Sequence, residues 1–156
     1  MATKGYKDRT DLEKIKKQWV KLTGLHSREE WSAAVIRAAT AAEIAANLAI
    51  RDEFKASSQF DADFVDSLLR GANCLKGKLE RLLRPLVKGT EKEKTVATLS
   101  KVALKINDIR NEIAHTGKFS GEKEATQVIA DCRTFVEGLV QLYVDNYTLP
   151  EPKASK

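Results

Sequence analysis

The chain is poor in the residues that build small cross-linked or metal-bound domains. It has two cysteines in 156 residues, Cys74 and Cys132, and no CxxC spacing. This pattern does not fit a disulfide framework or a zinc site, and unpaired thiols are typical of a reducing compartment. No cluster of His, Cys, Asp or Glu has ligand spacing, so we expect neither a metal nor a cofactor.

Proline and uninterrupted apolar runs are also scarce. The three prolines are Pro85, Pro150 and Pro152. The longest mostly apolar stretch, 33–50, is rich in alanine and carries Arg37 and Glu43. This pattern indicates a buried helix rather than a membrane-spanning helix. Residues 1–17 are polar and have no apolar segment of the kind found in signal peptides, so we expect none. We therefore expect a cytoplasmic protein with no membrane partner.

What remains is the composition of one helical domain. The chain is 42% hydrophobic, 31% charged and 6% aromatic, and its apolar residues are mostly Ala, Leu, Ile and Val. The length fits a single domain, and the scarcity of helix-breaking proline favours an all-α class. We predict one domain over residues 1–148, followed by a flexible C-terminal tail, residues 149–156.

The apolar spacing predicts an up-and-down bundle of about five helices. Thr10 opens the first helix and Gly24 ends it, while Ser27 and Glu30 form a capping box that starts the second. Gly117 is placed to end the fourth helix. The predicted spans are 10–23, 27–54, 61–86, 91–117 and 120–147.

The charge is positive overall and unevenly distributed. The net charge is +5, and two basic segments, 1–26 (net +4) and 70–94 (net +5), flank the acidic segment 27–69 (net −4). This pattern is typical of a protein with a polyanionic partner, although an ordinary solvated face has the same composition. The candidate phosphate-contacting residues in the second basic segment are Lys76, Lys78, Arg81 and Arg84.

The most informative stretch is Ile109-Arg110-Asn111-Glu112-Ile113-Ala114-His115-Thr116-Gly117. Arg110 lies at the edge of an apolar stripe, where a guanidinium needs a partner or a groove. His115 lies in the last turn, where the helix end favours imidazolium and a nearby arginine disfavours it, a position suited to proton transfer. On a straight helix the two side chains point about 140° apart. They converge only if the helix end relaxes or if two copies meet.

Arg110-Asn111-Glu112-Ile113-Ala114-His115 resembles the R-x4-6-H signature of the HEPN superfamily, in which a polar residue, often Asn, follows the Arg. The surroundings are also similar over residues 31–147: a small all-helical domain, a long alanine-rich second helix, and the motif ahead of a final helix. The sequence departs from some family toxins at Gly117, where they carry a tyrosine that a partner nucleotidyltransferase modifies.

The resemblance implies a metal-independent endoribonuclease that acts as a homodimer, with two motifs lining one RNA cleft. The 2′-hydroxyl would attack the adjacent phosphorus and leave a 2′,3′-cyclic phosphate. His115 would be the acid–base group, Arg110 would hold the phosphate and Asn111 would position the site. Glu43 would support the arginine. The resemblance also implies that the protein acts in a prokaryotic toxin–antitoxin or anti-phage defence system. Its partner would then be an antitoxin or another defence-system protein.

Other interpretations stay open at this point. Arg110 also fits the role of a structural arginine at the edge of the apolar stripe, paired with Glu112 or Glu43. His115 also fits the role of a histidine that caps a helix C-terminus. Glu43 equally fits a buried carboxylate paired with Arg37 or another base. At the level of function, the alternatives are a non-catalytic HEPN-like module that binds RNA or a protein partner, and an unrelated helical adaptor.

Overall fold

The fold is a helical bundle, as the composition predicts. The computed structural model describes residues 4–57 and 60–152, and within them there are six helices and no strand. The helices are α1 (Asp11–Ser27), α2 (Trp31–Ser57), α3 (Ala62–Gly71), α4 (residues 74–87), α5 (Glu93–Thr116) and α6 (Glu122–Val140). The all-α class is confirmed, but the helix boundaries differ from the predicted ones in three places.

The first helix begins where expected and ends later. The Thr10 hydroxyl accepts from the Glu13 amide at 3.2 Å and the Glu13 carboxylate accepts from the Thr10 amide at 2.7 Å, a complete capping box. Gly24 does not stop the helix, which continues to Ser27. The Ser27 hydroxyl donates to the Gly24 carbonyl at 2.8 Å, so its expected role as the cap of α2 is wrong. Buried Leu25 holds this turn against the core, which outweighs the helix penalty of a glycine, about 1 kcal/mol.

Helix α2 forms the centre of the bundle because its small side chains let neighbouring helices approach closely. It packs against α1, α4, α5 and α6. Seven alanines of α2 are almost completely buried: Ala34, Ala38, Ala41, Ala42, Ala45, Ala46 and Ala49. By length and mean hydropathy this helix could cross a membrane, but 67% of its most apolar window is buried within the protein. That burial is the arrangement expected of a core helix.

The expected third helix, 61–86, is divided in two. Asp61 caps α3 by accepting from the Phe64 amide at 2.8 Å, and α3 ends at Gly71. The chain restarts at Cys74, whose φ of 63° lies in the left-handed region. Helix α4 then consists of Cys74–Gly77, a π-helical segment Lys78–Leu83 and Arg84–Val87. The wider turns of the π-helical segment change which side chains face the core.

The last helix ends at Val140, seven residues before the predicted end, and the chain folds back over the bundle. Leu149 is buried, and its amide donates to a Glu137 carboxylate oxygen at 2.8 Å. The Trp19 indole N–H donates to the Pro150 carbonyl, also at 2.8 Å. The prediction of a loose tail from Leu149 onward is therefore wrong for residues 149–152, because a buried leucine and two hydrogen bonds hold them. Residues 153–156 lie outside the described residues.

Candidate functional site

The candidate site lies at the C-terminal end of α5. Gly117 ends this helix with φ 71° and ψ 16°, the left-handed conformation that glycine adopts without strain. This end was predicted from the sequence and is confirmed. Between Asp108 and Phe119 no residue is fully buried, and only the partly buried Ile109 and Ile113 of the last two turns are among the hydrophobic residues packed against the core. The chain is fixed again at Ser120, whose amide donates to the Ser32 hydroxyl at 2.8 Å.

The two motif residues occupy different faces of this helix end. Arg110 is half-buried, and its Nη1 donates to Asn111 Oδ1 at 3.1 Å, which orients the guanidinium. His115 is exposed to solvent. The helix is continuous to Thr116, so the five-residue separation sets the two side chains about 140° apart around its axis. The helix end does not relax, and one chain alone does not direct both groups at a single phosphate.

Glu43 does not support Arg110 as the resemblance implied. One of its carboxylate oxygens accepts from Lys78 Nζ at 2.6 Å. The Lys78 side chain is only 7% exposed, whereas that of Glu43 is 39% exposed. A nearly buried ammonium needs an anionic partner, and Glu43 supplies it from the facing helix. This ion pair joins α2 to α4 and matches the alternative in which Glu43 pairs with a basic group.

The four candidate phosphate-contacting residues of the second basic segment separate into two groups. Lys76, Arg81 and Arg84 are exposed and free to meet solvent or a phosphate backbone. Lys78 is buried, so its expected contact with RNA is wrong. Lys78 stands three residues after buried Leu75 and next to buried Leu79, so helical spacing places it at the edge of the apolar face. Lys76 and Arg81 border a shallow cavity of about 360 Å³ at the start of α4.

A second buried polar group was missed in the sequence. Glu53 is 6% exposed and accepts from the Tyr143 hydroxyl at 2.7 Å and from Lys92 Nζ at 3.0 Å. The same ammonium lies 5.0 Å from the centre of the Tyr143 ring. Burial, together with the Glu53 carboxylate, raises the pKa of Tyr143 well above its usual range. No signal in the sequence marked this site, because Glu53 stands among the charged residues Arg51, Asp52 and Lys55. This network ties α2 to the start of α5 and to the chain after α6.

Comparison with known proteins identifies no family and no function for this chain. No family model, curated protein or solved structure matches this chain. The resemblance to the HEPN superfamily therefore depends on the residues of the motif and the order of the helices. Over residues 4–57 and 60–152, no three His, Cys, Asp or Glu side chains are grouped so that they could hold a metal ion.

Proposed function

We propose that this chain is a metal-independent endoribonuclease of the HEPN type. The observation that carries the proposal is the motif at the end of α5, where an exposed histidine follows a half-buried, oriented arginine by five residues. A planar guanidinium is the best side chain for binding a phosphate through two parallel hydrogen bonds. An exposed imidazole at a helix terminus can reach a substrate and exchange protons with it.

The reaction would be an internal transfer at phosphorus. The 2′-oxygen of one ribose forms a bond to the adjacent phosphorus as its proton passes to a base, and the bond from phosphorus to the 5′-oxygen breaks. A proton then reaches the leaving 5′-oxygen, so the products are a 2′,3′-cyclic phosphate and a 5′-hydroxyl. His115 would carry the proton, and Arg110 would stabilise the charge that develops on the phosphate oxygens. Asn111 holds that guanidinium through its side-chain carbonyl.

A homodimer is part of this proposal. Because Arg110 and His115 diverge around a continuous helix, the arginine of one copy and the histidine of another meet more easily than two groups of one chain. A two-fold axis close to the end of α5 would place both pairs in one cleft. The dimer thus completes a site that each chain holds only in part.

RNA would be held by the exposed part of the basic segment. Lys76, Arg81 and Arg84 lie on one short helix in a segment with net charge +5. Each phosphate contact with a single strand adds about 0.7 to the slope of log affinity against log salt. Lys78 is not among the proposed RNA-contacting residues, because it is paired with Glu43.

The cellular setting that we propose is the cytoplasm of a prokaryote, in a toxin–antitoxin or anti-phage system. The activity of a ribonuclease of this kind must be inhibited until it is needed, so an antitoxin or another defence-system protein is the expected partner. The second candidate function is a non-catalytic HEPN-like module that binds RNA or a protein. The observation that favours it is the engagement of Glu43 by Lys78, because Asn111 is then the only polar side-chain partner of Arg110 among the described residues.

The test compares the two histidines of the chain in an RNA cleavage assay. His115→Ala should lower the cleavage rate by about 10²–10⁴, the usual contribution of a general acid–base group, with little change in RNA affinity. His26→Ala is the matched control, because His26 contacts the Thr126 hydroxyl on α6 and has no part in the proposed chemistry. Cleavage should survive EDTA and leave 2′,3′-cyclic ends.

Two results would decide against the proposal. If His115→Ala cleaves RNA as fast as the unmodified chain, this histidine has no catalytic role. If the unmodified chain binds RNA but does not cleave it, the binding-module function replaces the enzyme.

A further inference from the structure

A groove lies between α1 and α6, and the chain that follows α6 forms part of its wall. Its volume is about 690 Å³, compared with about 360 Å³ for the cavity at the start of α4. Sites for small molecules typically have volumes of about 300–1,000 Å³ and mostly apolar walls. The apolar side chains that line this groove are Trp19, Val20, Ile129, Pro150 and Pro152. No residue of the motif on α5 lines it, so the proposed nuclease function does not account for it.

The wall that follows α6 is held in place by its own contacts. The Pro150 carbonyl accepts from the Trp19 indole N–H at 2.8 Å and from Arg133 Nη2 at 3.4 Å. The Arg133 guanidinium also lies 5.0 Å from the centre of the Trp19 ring and contacts a Glu151 carboxylate oxygen at 2.9 Å. Because these contacts already order the wall, a ligand that enters the groove loses little free energy to conformational ordering.

The groove has an apolar middle and a polar group at each end. Along α1, Lys16 and His26 line opposite ends, ten residues or about 15 Å apart. Trp19 and Val20 lie between them, and the Val20 side chain is 56% exposed although it is apolar. At the His26 end, the ring Nε2 lies 2.9 Å from the Thr126 hydroxyl oxygen, so these two polar groups are paired with each other.

The charges that line the groove favour an anionic ligand. Of its lysine and carboxylate side chains, Lys16 alone has no salt-bridge partner among the described residues. Glu151 is paired with Arg133, and Glu13, one turn before Lys16, contacts the Lys4 ammonium at 3.3 Å. A carboxylate beside the Lys16 ammonium gains a charge-assisted hydrogen bond, whereas a cationic group is repelled there.

We propose that this groove binds a small amphipathic carboxylate of the medium-chain fatty acid class. The carboxylate lies against Lys16, and the hydrocarbon chain runs along Trp19, Val20 and Ile129 toward His26. Removal of apolar surface from water supplies most of the affinity. The ammonium of Lys16 selects an acid over an alcohol of the same length. The site goes beyond the proposed nuclease function and is independent of it.

Isothermal titration calorimetry of the full chain with octanoate tests this assignment. Octanoate should bind one per chain with a dissociation constant of about 1 mM or below, and 1-octanol should bind about 5-fold more weakly. Lys16→Ala should weaken octanoate binding by about 5-fold and leave octanol binding unchanged, because an exposed ion pair contributes up to about that factor. Val20→Asp should weaken octanoate binding by about 10-fold or more, since it places a carboxylate in the apolar middle of the groove.

Two variants outside the groove are matched controls. Lys17 is the next residue on α1 and does not line the groove, and Phe119 is an apolar side chain, 88% exposed, that also lies outside it. Lys17→Ala and Phe119→Asp should bind octanoate as the unmodified chain does. Circular dichroism should show that all four variants are folded, and Lys16→Ala alone decides the matter if Val20→Asp fails to fold.

Three results would overturn the assignment. The first is the absence of saturable octanoate binding by the unmodified chain. The second is equal affinity for octanoate and octanol, or an equal loss in Lys16→Ala and Lys17→Ala, because Lys16 would then not select a carboxylate. The third is a loss in Phe119→Asp as large as the loss in Val20→Asp, which would place the binding outside the groove. All of these measurements are made without RNA, so they neither depend on the nuclease activity nor test it.

Discussion

Replacing Glu43 should destabilise the protein more than replacing Lys78, although the two form one ion pair. Glu43→Ala leaves an ammonium that is 7% exposed without its carboxylate. Breaking a fully buried pair in this way costs about 3–5 kcal/mol. Because Glu43 is itself 39% exposed, water can replace part of the lost interaction, so we expect a loss of about 2–3 kcal/mol. For a chain of this length that is a fall in melting temperature of about 4–12 °C.

Lys78→Met should be nearly neutral by comparison. Methionine fills a similar volume with an apolar side chain, and the remaining Glu43 carboxylate is open enough to be hydrated. We expect a change within about 1 kcal/mol. In the double variant the buried ammonium is gone, so most of the loss caused by Glu43→Ala should be recovered.

Urea unfolding followed by circular dichroism measures all three variants, and a double-mutant cycle isolates the coupling between the two positions. Equal losses of stability for the two single variants, or losses that simply add in the double variant, would show that Lys78 is solvated and that the ion pair contributes little to stability.

The ion pair also leads to an expectation about catalysis. If Glu43 acts only through Lys78, the folded Glu43→Gln variant should keep the activity that His115→Ala loses.

Two further predictions concern groups whose titration depends on burial. Cys74 is exposed and Cys132 is buried, with burial raising the pKa of the Cys132 thiol to about 12. Ellman's reagent should therefore modify Cys74 quickly in the native protein and Cys132 only after unfolding; two equally fast thiols would contradict this. Tyr143 keeps its proton in the native state at a pH where a free tyrosine, with a pKa of about 10, loses it. The free energy of unfolding should fall as the pH rises above about 10. Tyr143→Phe should remove part of that slope, and an unchanged slope would show that the buried site does not raise the pKa of Tyr143.

Features set by neighbouring residues in the chain were predictable. The Thr10–Glu13 capping box and the left-handed Gly117 each depend on hydrogen bonds or dihedral angles within about four residues, so a local pattern identifies them. The alanine content of α2 likewise indicated a helix in close contact with its neighbours.

Features set by packing were not predictable in the same way. Gly24 and Ser27 carry strong local signals for a helix end and a helix start, yet the burial of Leu25 extends α1 through both. Lys78 lies in the interior rather than on the expected basic face, where it is paired with Glu43 of α2.

The sequence by itself determined that this protein is an all-α bundle, that α5 ends at Gly117, and that Arg110 and His115 stand five positions apart near that end. These follow from helix propensity, backbone dihedral preference and spacing along one chain. Only the tertiary structure decided that Glu43 binds Lys78 rather than Arg110, and that Leu149 and Pro150 are held against the bundle. The Glu43–Lys78 and Trp19–Pro150 contacts join residues that are 35 or more positions apart in the chain. The burial of Leu149 depends on which side chains lose water when the protein folds. Both the distant contacts and the burial are determined by how the helices pack against one another.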